Sequence, residues 1–181
     1  VKIGMDCAAS SFYDNAKYKL KIGGQEMKLN SEELINWYEE LVAKYPIILI
    51  EDGLDEDDWE GFTQMTKRLG NKIKVVGDDL LVTNIKRIEE AIRTDAVNSV
   101  LIKLNQIGTV SETIDAIKMT KEKGWVPFVS HRSGETTDTF IADLAVGLFC
   151  PLIKSCSLLR GEGVCKYNRL FEIDIGFTLK L

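Results

Sequence analysis

Short apolar runs rich in isoleucine and valine alternate along the chain with longer amphipathic stretches. The runs are Val1–Met5, Ile47–Ile50, Ile73–Val76, Ser99–Ile102, Val126–Val129 and Leu148–Ile153. They are largely apolar on both faces, so they read as strands covered on both sides, the mark of a parallel sheet. Between them the period changes to that of a helix. Leu34, Trp37, Tyr38 and Leu41 fall on one helical face, and Pro46 stops that helix. Val110, Ile114 and Ile117 recur at i, i+4 and i+7 behind Thr109-Val110-Ser111-Glu112. That tetrad predicts a capping box, in which the threonine hydroxyl and the glutamate carboxylate satisfy free N–H groups. Lys121 and Lys123 sit where the helix dipole favours cations, and Gly124 suits the left-handed residue beyond. Lys17–Leu29 departs from both patterns. Its apolar and polar residues partly alternate about Gly23-Gly24, which predicts a β-hairpin.

Parallel strands require crossovers, so six strand–helix units in succession predict an α/β fold. An open doubly wound sheet and a (β/α) barrel of the TIM type both satisfy that pattern. The residues at the strand ends separate them. They are Asp6, Glu51, Asp78, Lys103, His131 and Lys154, at intervals of 45, 27, 25, 28 and 23 residues. The last four intervals each fit one βα unit, and the first leaves room for the hairpin. An open sheet binds ligands at its switch point, whereas a barrel brings every C-terminal strand end to one mouth. Six ionisable ends on six strands therefore predict a barrel. Such barrels have eight strands. The expectation is one partial barrel domain over 1–181, six of eight units, with two exposed edges that favour association of the isolated chain.

Composition narrows the function. The chain has 181 residues, 45% apolar and 28% charged, enough for one packed soluble domain. Its net charge of −5 speaks against a nucleic-acid or anionic membrane surface, since both need clustered excess Lys and Arg. The longest apolar run, Ile141 to Ile153, contains Asp143 and Pro151 and is too short to span a bilayer. No signal peptide is read at the start. Cys7, Cys150, Cys156 and Cys165 form no C-x-x-C pair, and one histidine accompanies them. Free thiols in a reducing cytosol are expected, not zinc or disulfides.

The strand ends also carry the candidate chemistry. Asp6, Glu51 and Asp78 offer hard carboxylate oxygens, a set that suits Mg²⁺ or Mn²⁺. Any one of them alone is better explained as a helix cap or a solvated loop residue; three at one mouth favour a metal. Lys103 follows Val100-Leu101-Ile102 at the end of a buried strand. Near a cation its ammonium form is disfavoured, which makes it a candidate base; a snorkelling or carboxylate-paired lysine is the alternative. Ser130-His131-Arg132-Ser133-Gly134-Glu135-Thr136 is the densest polar cluster. Arg132 offers a planar fork for phosphate, and the serines and loop N–H groups add donors. His131, beside Arg132, is placed for substrate contact, and Lys154 adds a second cation. Together these groups describe proton abstraction next to a carboxylate, with the resulting dianion held by metal and lysine.

Five stretches occur in the order of the enolase barrel. They are Met5-Asp6-Cys7-Ala8-Ala9-Ser10; Ile50-Glu51-Asp52-Gly53 through Asp57-Asp58-Trp59; Val76-Gly77-Asp78-Asp79-Leu80 with Val82-Thr83-Asn84; Leu101-Ile102-Lys103 with Asn105-Gln106-Ile107-Gly108-Thr109; and Ser130 to Thr136. The chain thus resembles the enolase family almost end to end. The resemblance implies a glycolytic, cytoplasmic, homodimeric lyase that interconverts 2-phosphoglycerate and phosphoenolpyruvate plus water with Mg²⁺. It implies that Asp6, Glu51 and Asp78 hold the Mg²⁺ and that Lys103 takes the C2 proton. Ser130, His131, Arg132 and Ser133 would bind substrate, with Arg132 and Ser133 on the phosphate. Lys154 would help the metal hold the substrate carboxylate, the metal ligands Glu51 and Asp78 lying against the same substrate.

Some positions depart from the family pattern. Ser11 and Thr137 stand where the family has Glu, and Pro151-Leu152-Ile153-Lys154-Ser155-Cys156 stands where it reads Gly-Gln-Ile-Lys-Thr-Gly. Lys154 is retained; the glycine after the Lys-Thr step is not. The family also begins with a smaller α+β domain and two further strands, which bring the acid Glu residues. The isolated chain is therefore expected to be inactive. Two other functions stay open: a truncated or divergent relative with a binding or structural role, and another acid-sugar lyase or racemase of the superfamily. The phosphate-binding Ser130–Ser133 segment argues against the last.

Overall fold

The structure, a computed structural model, describes residues 1–178. From the N-terminus run β1 (Ile3–Asp6), a 3₁₀ turn (Ala9–Phe12), β2 (Tyr13–Asp14), β3 (Lys17–Ile22), β4 (Gln25–Leu29) and α1 (Ser31–Lys44). Then follow β5 (Ile47–Glu51), α2 (Trp59–Leu69), β6 (Lys74–Gly77), α3 (Ile85–Thr94), β7 (Ser99–Ile102), α4 (Leu104–Ile107) and α5 (Val110–Glu122). After these come β8 (Val126–Ser130), α6 (Phe140–Gly147), β9 (Leu152–Lys154) and α7 (Gly161–Thr178).

Six strands form one parallel sheet in the order β1-β5-β6-β7-β8-β9, and β2-β3-β4 form a small antiparallel sheet. Laid flat, six strands would put β1 and β9 about 24 Å apart, at ~4.8 Å per step. Yet Lys154 Nζ at the end of β9 lies 2.8 Å from Asp6 Oδ2 at the end of β1. The sheet is therefore curled, as the TIM-barrel reading requires.

The two faces of the sheet are packed differently. Ile50, Val75, Val100, Ile102 and Val129 point outward onto helix residues such as Leu34, Phe62, Ile88 and Ile117. Leu49, Val76, Leu101 and Phe128, with Leu152, meet on the concave face. Each such side chain contributes about 1.5–3 kcal/mol by burial. Gly4 completes the concave row: a Cβ there would come within 3.1 Å of Leu49 Cγ, so Leu49 fills the place.

Most predicted elements form, with shifted ends. The hairpin turns at Gly23 and Gly24, both left-handed at φ 58° and 87°, and β2 adds a third strand to it. The box predicted at Thr109 is half made. Glu112 N–H donates to Thr109 Oγ1 at 3.2 Å, but the Glu112 carboxylate accepts from the hydroxyl of Thr109 instead of its backbone N–H. A full box caps α1, where Glu33 N–H donates to Asn30 Oδ1 and Asn30 N–H to Glu33 Oε2. In α5 the buried row is Thr113, Ala116, Ile117 and Thr120; Val110, in the first turn, is exposed.

Leu148–Ile153 is not one strand. Helix α6 runs into it: Leu148 N–H and Cys150 N–H bond back to Leu144 O and Ala145 O, and Phe149 turns the chain at φ 50°. Only Leu152 to Lys154 joins the sheet.

Candidate active site

Side chains alternate across a strand, so the concave row predicts what lies two residues further on. Beyond Gly4, Leu49, Val76, Leu101, Phe128 and Leu152 come Asp6, Glu51, Asp78, Lys103, Ser130 and Lys154. The sheet thus aims six polar side chains into one mouth at the C-terminal ends of its strands. His131 is one position out of step. Its N–H donates to Lys154 O at 3.0 Å and continues the β8–β9 ladder.

Two ion pairs dominate the mouth. Lys154 Nζ lies 2.8 Å from Asp6 Oδ2 and 2.8 Å from both oxygens of Glu51. Burial pushes the Glu51 carboxyl up, and the Lys154 ammonium pulls it back. Burial likewise works against the Lys154 ammonium, but Asp6 and Glu51 outweigh it and hold its pKa above the ordinary lysine value. Lys103 pairs with Asp78 Oδ2, and Gln106 Nε2 reaches Asp78 Oδ1 at 3.3 Å.

Asp78 also belongs to a second acidic group, whose other members, Asp52 and Asp79, the sequence reading does not single out. Asp52, Asp78 and Asp79 bring oxygens within 4.8 Å of one another. Asp52 accepts the N–H groups of Asp78 and Asp79, each at 2.9 Å, so it fastens the turn after β6 to the end of β5. Burial raises its pKa to about 7, against the pull of those two N–H groups. Thr83 is buried; its hydroxyl accepts Lys103 N–H at 2.9 Å and donates to Gln106 Oε1 at 2.7 Å. Among adjacent acids and a single threonine nothing periodic marks these roles.

The Ser130–Thr136 loop borders a cleft of about 500 Å³ with Asn105, Phe140 and Ile141. Ser130 is buried and Arg132 and Ser133 are exposed. Arg132 donates to Asn105 Oδ1 at 3.0 Å. Lys166 anchors the far end of this loop. It is 1% exposed, donates to Thr136 O and Glu162 O at 2.8 Å, and faces Glu135 Oε2 at 3.8 Å. A lysine amid a mixed helix reads as solvated, so only packing identifies it. Ser155 Oγ is buried with no hydrogen-bond partner among the described residues.

Residues 1–178 match the family model described as enolase, C-terminal TIM barrel domain. The chain belongs to the enolase family. Two relatives from Methanospirillum hungatei JF-1, named Enolase 2 and Enolase 1, are 55% and 54% identical to it over 174 and 173 residues. Each comparison covers 96% of this chain and 40% of the relative, so the chain spans two-fifths of the length of these enolases. The α/β class and the curled parallel sheet agree with that family. No helix among the described residues is long and apolar enough to cross a membrane.

Proposed function

We propose that this chain supplies the catalytic strand ends of a Mg²⁺-dependent enolase that interconverts 2-phosphoglycerate and phosphoenolpyruvate plus water. The observation that carries the reading is the single inward row Asp6, Glu51, Asp78, Lys103, Ser130 and Lys154 at one mouth. A partial barrel domain over 1–181, a homodimer and a glycolytic role in the cytoplasm belong to the same proposal.

Asp6, Glu51 and Asp78 would hold the metal. Their donors are hard oxygens only, and the first two already close around a cation, the Lys154 ammonium. Bound there, Mg²⁺ supplies electrostatic stabilisation of negative charge on the substrate carboxylate. Glu51 and Asp78 lie against the same substrate, and Lys154 presents its ammonium to that carboxylate. Arg132 and Ser133 take the phosphate, with Ser130 and His131 beside them. Lys103 accepts the C2 proton; to do so its Nζ leaves the Asp78 carboxylate, while Thr83 keeps its backbone in place. Protonation of the departing C3 hydroxyl is assigned to none of these residues.

Two measurements test the reading. Calorimetry on the chain is expected to show Mg²⁺ binding that Asp78→Asn weakens. In a full-length protein carrying this chain, Lys103→Ala is expected to lower kcat by ~10²–10⁴ with substrate binding largely kept, the pattern of a lost base. Equal Mg²⁺ affinity in both chains, or turnover that survives Lys103→Ala, would overturn it. A non-catalytic relative is the second reading, favoured by the altered Cys150–Val164 segment; full-length protein that binds Mg²⁺ without turnover would select it.

A further inference from the structure

The segment in which this chain parts from the family pattern contains a cysteine that the proposed reaction does not use. Cys156 Sγ lies 2.9 Å from His131 Nδ1. Neighbouring strands build this contact. His131 follows β8 and is held to β9 through Lys154 O. Cys156 comes two residues after β9 and is pressed onto α7. A Cβ on Gly163 would come within 2.7 Å of Cys156 Cβ and 3.0 Å of its carbonyl oxygen. Cys156 is half-buried, and the next four residues, Ser157 to Arg160, are exposed.

We propose that Cys156 and His131 form a thiol–imidazole pair that makes Cys156 a site of covalent modification by small disulfides. In the reaction His131 Nδ1 takes the thiol proton. The Cys156 sulfur attacks one sulfur of the disulfide, a new S–S bond forms and the old one breaks. The leaving thiolate recovers the proton from His131. Cys156 is oxidised to a mixed disulfide, and the released half of the reagent is reduced to a thiol.

The other three thiols lack such a base, because His131 is the sole histidine of the sequence. Cys165 Sγ donates to Glu162 O at 3.4 Å, and Cys150 Sγ contacts Leu148 O at 3.9 Å. Burial pushes the Cys7 and Cys150 thiols up. Burial, then the charge of Lys154, holds the His131 imidazole below its ordinary value, so the role of His131 as proton acceptor rests on its 2.9 Å contact with the thiol. The other charges acting on the imidazole are Lys103 after β7, Lys166 on α7 and Glu135 in its own loop. Lys154 and Lys103 are themselves paired with Asp6, Glu51 and Asp78, so what sets Cys156 apart from the other thiols is its contact with the imidazole.

The test is labelling of the chain with dithiodipyridine, followed by thiopyridone release and mass mapping of the labelled peptides. It reads sulfur and not turnover, so its outcome is separate from that of the enolase reading. Cys156 is expected to label first, about tenfold faster than Cys165, also half-buried. Cys156→Ser removes the fast phase, and His131→Gln slows it about tenfold while Cys156 still labels completely. The labelling order in the unaltered chain decides the matter even if His131→Gln fails to fold. Cys156 labelling no faster than Cys165, or a fast phase of unchanged rate in folded His131→Gln, would overturn the proposal.

Discussion

Val82 and Thr83 both hold left-handed backbone, at φ 43° and 53°. A β-branched side chain resists that region because its Cβ substituents crowd the backbone, at a cost of about 1–3 kcal/mol per residue. The strain has a use at Thr83, whose hydroxyl links Lys103 N–H to Gln106 and, through Gln106, to Asp78. Val82 is 36% exposed and its side chain has no such task. The two positions should therefore respond in opposite directions. Val82→Asn, which tolerates the left-handed region, is expected to raise stability by about 0.5–1 kcal/mol. Thr83→Val keeps the strain and leaves Lys103 N–H unpaired, and is expected to lower stability by about 1–3 kcal/mol. Denaturant midpoints at unchanged m-value measure both. A Val82→Asn chain less stable than its parent would mean that the valine packs more than its exposure indicates.

One carboxylate ties three elements together beside the site. Asp58 caps α2 by accepting Gly61 N–H at 2.9 Å, accepts Ser31 Oγ at 2.5 Å from the start of α1, and accepts the Tyr18 hydroxyl at 3.3 Å from β3. Tyr18, fully buried, accepts Asp55 N–H in turn. A Cβ at Gly61 would sit 2.4 Å from Asp58 Oδ2, so a larger residue there would displace the capping carboxylate. Asp58→Ala removes the cap and two hydroxyl partners and is expected to cost about 2–3 kcal/mol, and Tyr18→Phe about 1–2. The double variant should lose less than both costs added, because the two share one bond. Strict additivity in urea melts would show that hairpin and helix are fastened independently. None of this was legible beforehand. Asp58 ends an acidic stretch that reads as a solvated turn, and its partners lie 27 and 40 residues away. The strand ends are legible, by contrast, because each ionisable residue closes a short apolar run that reads as a strand covered on both faces. The boundary of α6 and β9 is not: Leu148–Ile153 is apolar whichever element claims it, and only backbone hydrogen bonding decides.

At the scale of the whole molecule, the curled sheet is bridged at its mouth by Lys154, which carries the end of β9 to the ends of β1 and β5. The Glu51 side chain in this bridge is 2% exposed and that of Asp6 46%, so the contact is buried on one side and wet on the other. Lys154→Met would leave Glu51 buried without its cation, and burial would push its carboxyl further up. The cost is expected to be roughly 2–3 kcal/mol, below the range for fully buried pairs because Asp6 stays hydrated. Mg²⁺ then acts as a probe of what the carboxylates are for. If Asp6, Glu51 and Asp78 hold the metal in the folded state alone, Mg²⁺ stabilises that state by mass action, about 2.7 kcal/mol at a hundredfold excess over Kd. The ammonium of Lys154 opposes a second cation at the same oxygens, so its removal should strengthen Mg²⁺ binding. Thermal melts with and without Mg²⁺ are therefore expected to show a larger gain in Lys154→Met than in the parent. A further Asp78→Asn change should shrink that gain. If neither chain gains from Mg²⁺, Asp6 and Glu51 serve to seat Lys154 and Asp78 to pair Lys103, and these acids hold no metal.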